Sequence, residues 1–305
     1  MKKLVYSFIF FSLAIIVASF TIFVCNYVLT HMPSDYRIGF IGYGGTFNRF
    51  KTGVDKWAIQ PYWIMHIIGI IGMCILCFLR RKEICIKIWQ AIMTGILLAI
   101  GGFIGAKLLY IIENYQSVKK NGIGLAGVSF FGTVFFMPIF IPVIKRTLFI
   151  KAKDSEYMDF CTPAGILMLA CIRIGCFMNG CCRGIGIWVK DKPFVYPVQL
   201  IECSLDLLLI GFIMMNWTGK RFRGLLYSLF MIGYGLIRFF IEFYRNTSKT
   251  DNLFITGINR RINTDQVRHV LSNGQIFSIA SVTIGVISGI IIYFTNKKKI
   301  HHIST

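Results

Sequence analysis

Long apolar runs recur along the whole chain, and they restrict its fold more than any other feature of the sequence. Each is close to the roughly 20 residues that a helix needs to cross the hydrocarbon core of a bilayer. Backbone polar groups in that core must be satisfied internally, which favours helices. We predict an all-α integral membrane protein with about eight transmembrane helices. The spans are expected at about 4–29, 61–79, 86–112, 127–149, 157–178, 198–217, 223–243 and 276–295.

Composition agrees with that fold and excludes two other classes of protein. Of the 305 residues, 55% are hydrophobic and 15% are charged, whereas soluble domains carry about 25% charged residues. The net charge of +20 comes from basic residues in the loops between the apolar runs. Those loops lack a basic face with interleaved aromatic residues, which is the pattern of single-strand nucleic-acid binding. We therefore exclude a soluble domain and expect no nucleic-acid partner.

Basic residues are denser in alternate loops, and this predicts the orientation in the membrane. If the spans alternate, the dense clusters all fall on one side, and the positive-inside rule makes that side cytoplasmic. The clusters lie at 2–3, 80–82, 145–153, 220–223 and 297–299. Both termini are then cytoplasmic. The first apolar run is too long for a signal-peptide core and no small-residue cleavage site follows it, so we expect a retained helix.

One arginine stands inside an apolar run that ends in a turn rich in glycine and cysteine. A guanidinium such as that of Arg173 costs about 2.5–3.5 kcal/mol at membrane depth, so it marks a candidate functional site. Its fixed fork of donors suits a phosphate oxyanion. The turn holds Cys176, Cys181 and Cys182, whose spacing is neither C-x-x-C nor a zinc pattern, so we expect no metal there. A disulfide to one of them is left open.

A second arginine belongs to a polar face in the seventh run. Tyr234, Arg238 and Glu242 are spaced four residues apart, so they lie along one side of a helix. An internal Arg–Glu pair that neutralises its own charges would explain two of them. With Arg173 at a similar depth, two guanidiniums that face one cavity suit a phosphodiester headgroup. Arginines with a purely structural role are expected to pair off more completely.

Other polar or small residues have a structural explanation from the sequence alone. Pro197 suits a helix start, and Gln199 and Glu202 after it are typical of interfacial positions. Residues 272–275 are expected to cap the last span. Three glycines of the third run match small-residue helix packing. They are Gly101, Gly102 and Gly105.

Five segments, in order along the chain, are similar to motifs of one bacterial family. Residues 105–110 resemble G-A-R-L-L-Y, and 173–180 follow G-R-x-G-x-F-x-N-G, with Ile172 in place of the first glycine. Residues 196–202 resemble Y/H-P-x-Q-L-Y-E, and 234–245 match Y-G-x-x-R-F-x-x-E-F-x-R without a break. Residues 274–279 resemble G-Q-I-L-S-I. The family is that of the prolipoprotein diacylglyceryl transferases, and the similarity covers residues 59–296.

The resemblance implies a domain organisation, a location and a reaction. A transferase-like core of seven spans is expected at 59–296, after an added helix and outer loop at 1–58 and before a basic cytoplasmic tail at 297–305. The implied location is the bacterial plasma membrane, with the active site toward the outer leaflet. The implied reaction transfers a diacylglyceryl group from phosphatidylglycerol to the lipobox cysteine thiol of a prolipoprotein signal peptide. It releases glycerol 1-phosphate and needs no cofactor.

The resemblance also assigns roles to individual residues. Arg238 is expected to stabilise the leaving phosphate, with Glu242 orienting it and Tyr234 donating a hydrogen bond beside it. These three are the candidate catalytic residues. The candidate residues for binding phosphatidylglycerol are Arg173, Asn179, Gly184, Tyr62 and Gln199.

One departure from the family affects proton transfer. The family motif S-F-H-G-G is S-F-F-G-T here, with Phe131 at the position of the histidine. Phenylalanine can neither accept nor donate a proton. Because the thiolate is the nucleophile, the acceptor thiol must still lose its proton. The base would be His66 or Glu202, or the surrounding arginines would lower the thiol pKa without one.

Cysteine replaces two other family residues, a polar one at Cys176 and an acidic one at Cys181. Together with Phe131, these departures leave two alternatives to the family reaction. One is a paralogue that uses the same phospholipid site for another acceptor. The other is a non-catalytic lipid-binding membrane protein that keeps only the fold.

Overall fold

The computed structural model is almost entirely helical in the residues that it describes. These are residues 2–31, 61–122, 127–179, 181–182, 184–189, 192–215, 224–245 and 271–304. The helices are α1 (Lys2–His31), α2 (Pro61–Arg80), α3 (Ile88–Glu113), α4 (Tyr115–Asn121), α5 (Phe130–Thr147), α6 (Asp154–Asn179), α7 (Val198–Met215), α8 (Leu225–Glu242) and α9 (Asn273–Ser304). A single 3-10 turn, Arg81–Glu83, follows α2.

Every helix of the described chain except the short α4 is long and apolar enough to cross a membrane. The 8 candidate spans coincide with the predicted apolar runs, so the all-α, multi-pass membrane fold is confirmed. One addition lies between α6 and α7, where β1 (Gly186–Val189) and β2 (Lys192–Val195) form an antiparallel hairpin. The predicted boundary between 58 and 59 lies outside the described residues, so the domain division stays a prediction.

The first of two compact units contains α1, α7 and one end of several other spans. Its residues are Met1–Gly72, Ile166–Asn216 and Ile237–Ser248. In this unit α1 packs along α7, and a Cβ on Gly211 would come within 2.7 Å of the Phe11 ring. On α6, a Cβ on Gly175 would lie 3.0 Å from the Cβ of Met65 in α2. The helix that the sequence predicts as an addition is therefore packed tightly against α7.

The second compact unit is built around close contact between α3 and α5. Its residues are Met73–Gly165, Trp217–Leu236 and Lys249–Thr305. A Cβ on Gly105 would come within 2.9 Å of the Gly132 carbonyl oxygen. A Cβ on Gly102 would lie 3.3 Å from Met137, and one on Gly101 would lie 3.4 Å from Phe140. The interpretation of these three glycines as helix-packing positions is confirmed.

Two helix starts in the second unit are capped by side chains. Buried Asp159 accepts hydrogen bonds from the backbone N–H groups of Gly224 (2.7 Å) and Leu226 (3.1 Å) at the start of α8. At the start of α9, the N–H of Gln275 donates to Ser272 Oγ at 3.2 Å, and the N–H of Ser272 donates to Gln275 Oε1 at 3.0 Å. This reciprocal pair is a capping box, so the predicted cap at 272–275 is confirmed.

Candidate active site

Five charged side chains of the first unit form a buried series of ion pairs, which we call the arginine–glutamate network. Glu202 of α7 is central: its Oε1 lies 2.7 Å from Arg173 Nη2, and its Oε2 lies 3.2 Å from Arg238 Nη1. Arg238 also contacts Glu242, one turn along α8, with 2.8 Å between Nη2 and Oε2. The same Glu242 oxygen lies 3.2 Å from Arg245 Nη1. The network thus links the ends of α6, α7 and α8.

Four of the five side chains of the network lie almost entirely out of contact with solvent, and the fifth, Arg245, is 21% exposed. The side chains of Arg173 and Arg238 are 8% and 7% exposed, and that of Glu202 is 2% exposed. Buried ions depend on close partners, because desolvation removes the stabilisation that water would supply. Three guanidiniums and two carboxylates leave the network with one net positive charge. An anionic group would therefore complement it.

A further carboxyl group lies next to the network on α7. Asp206 follows Glu202 by one turn and is fully buried. Neither of its carboxylate oxygens has a hydrogen-bond partner among the described residues. Sequence reasoning missed Asp206, although a second acidic residue four positions after Glu202 inside an apolar run is a signal for a functional site.

The network corrects two sequence interpretations and confirms a third. The expectation that Arg173 and Arg238 are incompletely paired, which favoured a clamp over a structural role, is wrong, because both contact carboxylates. An interfacial role for Glu202 is also wrong, because this residue is 1% exposed and bridges the two guanidiniums. The pairing of Arg238 with Glu242 on one face of α8 is confirmed.

The turn after α6 brings three cysteines together, and we call them the cysteine cluster. The sulfur atoms of Cys176, Cys181 and Cys182 all lie within 4.8 Å of one another. All ten cysteines of the chain are free thiols in the structure. Hydrogen bonds from Cys176 and Cys181 hold the pKa of the Cys182 thiol well below its usual range, and the guanidiniums of Arg173 and Arg238 lower it further. Sequence spacing alone did not predict this convergence.

Two predicted headgroup residues hold the cysteine cluster in place. Gln199, at the start of α7, donates from Nε2 to the carbonyl oxygen of Cys181 at 2.7 Å. Asn179, the last residue of α6, hydrogen-bonds through its side chain to Cys181. The backbone N–H of Cys181 donates to the Cys176 carbonyl oxygen at 3.1 Å. These polar groups therefore connect the two helix ends that carry Arg173 and Glu202.

Gly184 lies where two chain segments come closest. Its N–H donates to the carbonyl oxygen of Tyr196 at 3.2 Å, and it forms an antiparallel bridge with Arg245. A Cβ at this position would lie 2.9 Å from the carbonyl oxygen of Tyr244. Glycine is needed for this close approach, which fixes the segment carrying Arg245.

The start of α2 places an aromatic pair in the first unit. The ring centroids of Tyr62 and His66 are 4.3 Å apart, and the carbonyl oxygen of Tyr62 would lie 3.3 Å from a Cβ on Gly175. Nδ1 of His66 lies 2.8 Å from the same carbonyl oxygen. This contact assigns the proton of the neutral ring to Nδ1 and leaves Nε2 as a hydrogen-bond acceptor.

Phe131, which the resemblance predicts at the position of the family histidine, lies in an aromatic cluster of the second unit. The members of this cluster are Phe130, Phe131, Phe135, Phe230, Tyr234 and Phe277. Phe131 is 4% exposed, and its ring centroid lies 5.6 Å from Tyr234 and 5.8 Å from Phe277. Tyr234 is fully buried and also contacts Phe130 at 5.1 Å. The role of Tyr234 as a donor beside Arg238 stays a prediction.

Comparison with known proteins identifies the family to which the chain belongs. The model of the family described as prolipoprotein diacylglyceryl transferase matches residues 51–292, which is most of the chain. The chain belongs to this transferase family. The matched residues include every candidate site residue and Phe131, and they begin after α1.

Three relatives carry the name phosphatidylglycerol–prolipoprotein diacylglyceryl transferase, one of them with the number 2. The protein of Clostridium tetani is 30% identical over 202 residues, which cover 61% of the present chain and 81% of the relative. Transferase 2 of Clostridium perfringens is 27% identical over 263 residues, which cover 79% and 92%. The protein of Methylobacillus flagellatus is 29% identical over 268 residues, which cover 79% and 94%.

Proposed function

We propose that this chain transfers a diacylglyceryl group from phosphatidylglycerol to the lipobox cysteine thiol of a prolipoprotein. The arginine–glutamate network supports the proposal, because two buried guanidiniums, those of Arg173 and Arg238, converge on one carboxylate and are suited to bind an anion. The chain that carries them is a membrane protein of this family. In the reaction, the thiolate sulfur forms a bond to the terminal glycerol carbon of the diacylglyceryl group. The bond from that carbon to the phosphate oxygen breaks, and glycerol 1-phosphate leaves with the electron pair.

Arg173 and Arg238 are the proposed phosphate ligands. Glu202 holds one terminal nitrogen of each, so the two guanidiniums already stand at fixed positions around an anion. Negative charge accumulates on the phosphate as the carbon–oxygen bond breaks. Donors that are fixed in a site away from water stabilise such charge without reorganisation. Glu242 contacts Arg238 from within α8 and thereby orients it.

The remaining candidate residues are proposed to surround the lipid headgroup. Gln199 and Asn179 hold the turn beside Arg173, and Gly184 permits the close approach of the segment with Arg245. Tyr62 lies against Gly175, two residues after Arg173. Tyr234 is the remaining candidate, and its buried position suits a role in holding α8.

His66 is better suited than Glu202 as the base that takes the thiol proton. Both oxygens of Glu202 are already engaged in contacts with the guanidiniums of Arg173 and Arg238. His66 has its Nδ1 at the Tyr62 carbonyl oxygen, so Nε2 can accept a proton. We therefore place His66 ahead of Glu202 in this chain, where Phe131 supplies no proton acceptor.

Reconstituted protein tests the proposed reaction. Purified chain in vesicles of phosphatidylglycerol labelled in its diacylglyceryl part, incubated with a lipobox peptide, should label the peptide slowly. Arg173→Ala should abolish labelling, whereas Arg81→Ala, at an arginine of the second unit, should not. Release of glycerol phosphate without peptide labelling would instead support a paralogue with another acceptor. If neither labelled peptide nor glycerol phosphate forms, the transferase assignment is overturned and the lipid-binding alternative remains.

We also propose that both termini are cytoplasmic and that the cysteine cluster faces the outer leaflet. Exposed Cys85, after the basic residues 80–82, is a native reporter for the cytoplasmic side. An impermeant maleimide added to intact cells should label an Asn121→Cys variant beyond its parent. Cys85 should react only after lysis. The opposite pattern would reverse the orientation.

A further inference from the structure

The cysteine cluster has no part in the transfer chemistry proposed above. Its three sulfur atoms lie within 4.8 Å of one another, although Cys176 belongs to α6 and the other two follow that helix. Hydrogen bonds from Gln199 and the Cys181 N–H fix the turn. Cys182 has a φ of 55°, a left-handed conformation that is uncommon outside glycine. The backbone is thus shaped so that all three sulfurs meet.

Three converging sulfurs match the requirements of a thiophilic metal ion. Thiolate ligands select ions such as Zn²⁺ over hard cations. Zinc–sulfur bonds are about 2.3 Å long in tetrahedral sites, which places the sulfurs of one site about 3.8 Å apart. Separations within 4.8 Å reach that value through small rotations of the cysteine side chains. Backbone rearrangement is therefore unnecessary.

We propose that Cys176, Cys181 and Cys182 bind Zn²⁺ through their sulfurs and leave its fourth position open. Three protein ligands with one open position are typical of catalytic zinc sites, whereas structural sites are closed by a fourth ligand. Three thiolates and one Zn²⁺ carry one net negative charge. Arg173, one helical turn before Cys176 on α6, supplies a compensating positive charge.

The open position suits the acceptor thiol, a step that rests on the proposed function. The thiol sulfur forms a bond to Zn²⁺, its proton passes to His66, the base proposed above, and the metal keeps its oxidation state. A thiol that coordinates a metal is deprotonated outright, so the nucleophile forms without the histidine that Phe131 replaces. The thiolate then attacks the glycerol carbon, and the three cysteines remain as ligands.

Metal content of the purified full-length chain tests the site directly. After loading with Zn²⁺ and removal of free metal in detergent, elemental analysis should find one zinc per chain. Co²⁺ in its place should give sulfur-to-cobalt charge-transfer absorption. Cys176→Ser, Cys181→Ser and Cys182→Ser should each reduce bound zinc at least tenfold, whereas Cys171→Ser and Cys203→Ser should retain it. Absence of bound zinc, or equal retention by all five variants, would overturn the site.

Measuring lipid transfer distinguishes zinc binding at this site from a role of the zinc in the reaction. If the acceptor thiol binds the metal, a zinc chelator should slow peptide labelling at least tenfold, and added Zn²⁺ should restore it. Zinc binding with labelling that resists the chelator would overturn thiol activation but leave both the site and the transferase proposal. Zinc binding in a chain that never transfers lipid would instead show that the proposed function has failed. Matching melting temperatures of the five serine variants would exclude misfolding as the cause.

Discussion

The arginine–glutamate network of the first unit and the aromatic cluster of the second both include residues of one family motif in α8. The network consists of charged side chains, whereas the cluster consists of aromatic ones. Arg238 and Glu242 belong to a series of ion pairs with contacts of 2.7–3.2 Å. Tyr234, one turn earlier in the same motif, is enclosed by aromatic rings at 5.1–5.8 Å. The network holds groups suited to an anion, whereas Phe131, at the predicted position of the family histidine, supplies no proton acceptor.

This contrast predicts different responses to substitution. A buried ion that loses its partner leaves an uncompensated charge, which is strongly destabilising. An aromatic ring in a packed cluster interacts with each neighbour by only about 0.5–1.5 kcal/mol beyond its buried area. Conservative changes in the network should therefore have larger effects than comparable changes in the cluster.

The largest effect is expected at Arg238. Arg238→Lys should reduce the rate of peptide labelling about 100- to 1000-fold, nearly as much as Arg238→Ala, because lysine lacks the planar fork that contacts Glu202 and Glu242 together. Arg81→Lys is the matched control, since Arg81 donates to the Phe78 carbonyl oxygen in the second unit. Near-normal labelling by Arg238→Lys would make charge balance the better explanation of this residue.

Glu202 and Asp206 offer a comparison within one helix. Glu202→Gln removes the charge between two guanidiniums and should lower the free energy of unfolding by about 3 kcal/mol. Asp206→Asn should change it by less than about 1 kcal/mol, because neither carboxylate oxygen accepts a hydrogen bond from the described residues. Denaturation in mixed micelles measures both. Equal losses would show that Asp206 also belongs to the network.

A smaller gain is expected when the histidine is restored in the aromatic cluster. Phe131→His should raise the labelling rate by up to about 100-fold, since general bases typically contribute that much or more. Phe135→His is the control, because Phe135 lies one turn along α5 and its ring centroid is 5.8 Å from that of Phe131. An equal gain from both variants would attribute the effect to loosened packing. If Phe131→His gives no gain, the base that takes the thiol proton lies elsewhere, which agrees with the proposed role of His66.

The fold was largely predictable because span length and hydropathy are local properties of the sequence. All 8 candidate spans follow from them. The capping box at 272–275 was also predictable, because it depends on two residues only three positions apart. The β1–β2 hairpin was not predicted, since its strands have only 4 residues each and lie in the loop between two spans. The packing of α1 against α7 was also beyond the sequence, because it depends on which helices become neighbours.

The candidate site was predictable only where a charge interrupts an apolar run. Arg173, Arg238 and Glu242 stand out in this way, and the structure places them in one network. The bridging role of Glu202 depends on the packing of α7 next to both α6 and α8, and residue spacing along the sequence does not determine that packing. The cysteine cluster was missed for a similar reason, since its convergence comes from the turn after α6.

The smallest effect is expected at the cap of α9, the helix that contributes Phe277 to the aromatic cluster. Ser272→Ala removes one half of the capping box and should lower the free energy of unfolding by about 1 kcal/mol, without changing the labelling rate. Gln275→Ala removes the other half, and the double variant should lose less than the sum of the single losses, because the two bonds form one reciprocal unit. Denaturation of the four chains in parallel measures this coupling. A tenfold loss of labelling by Ser272→Ala would contradict a purely structural role for this region and would place α9 in the chemistry of the site.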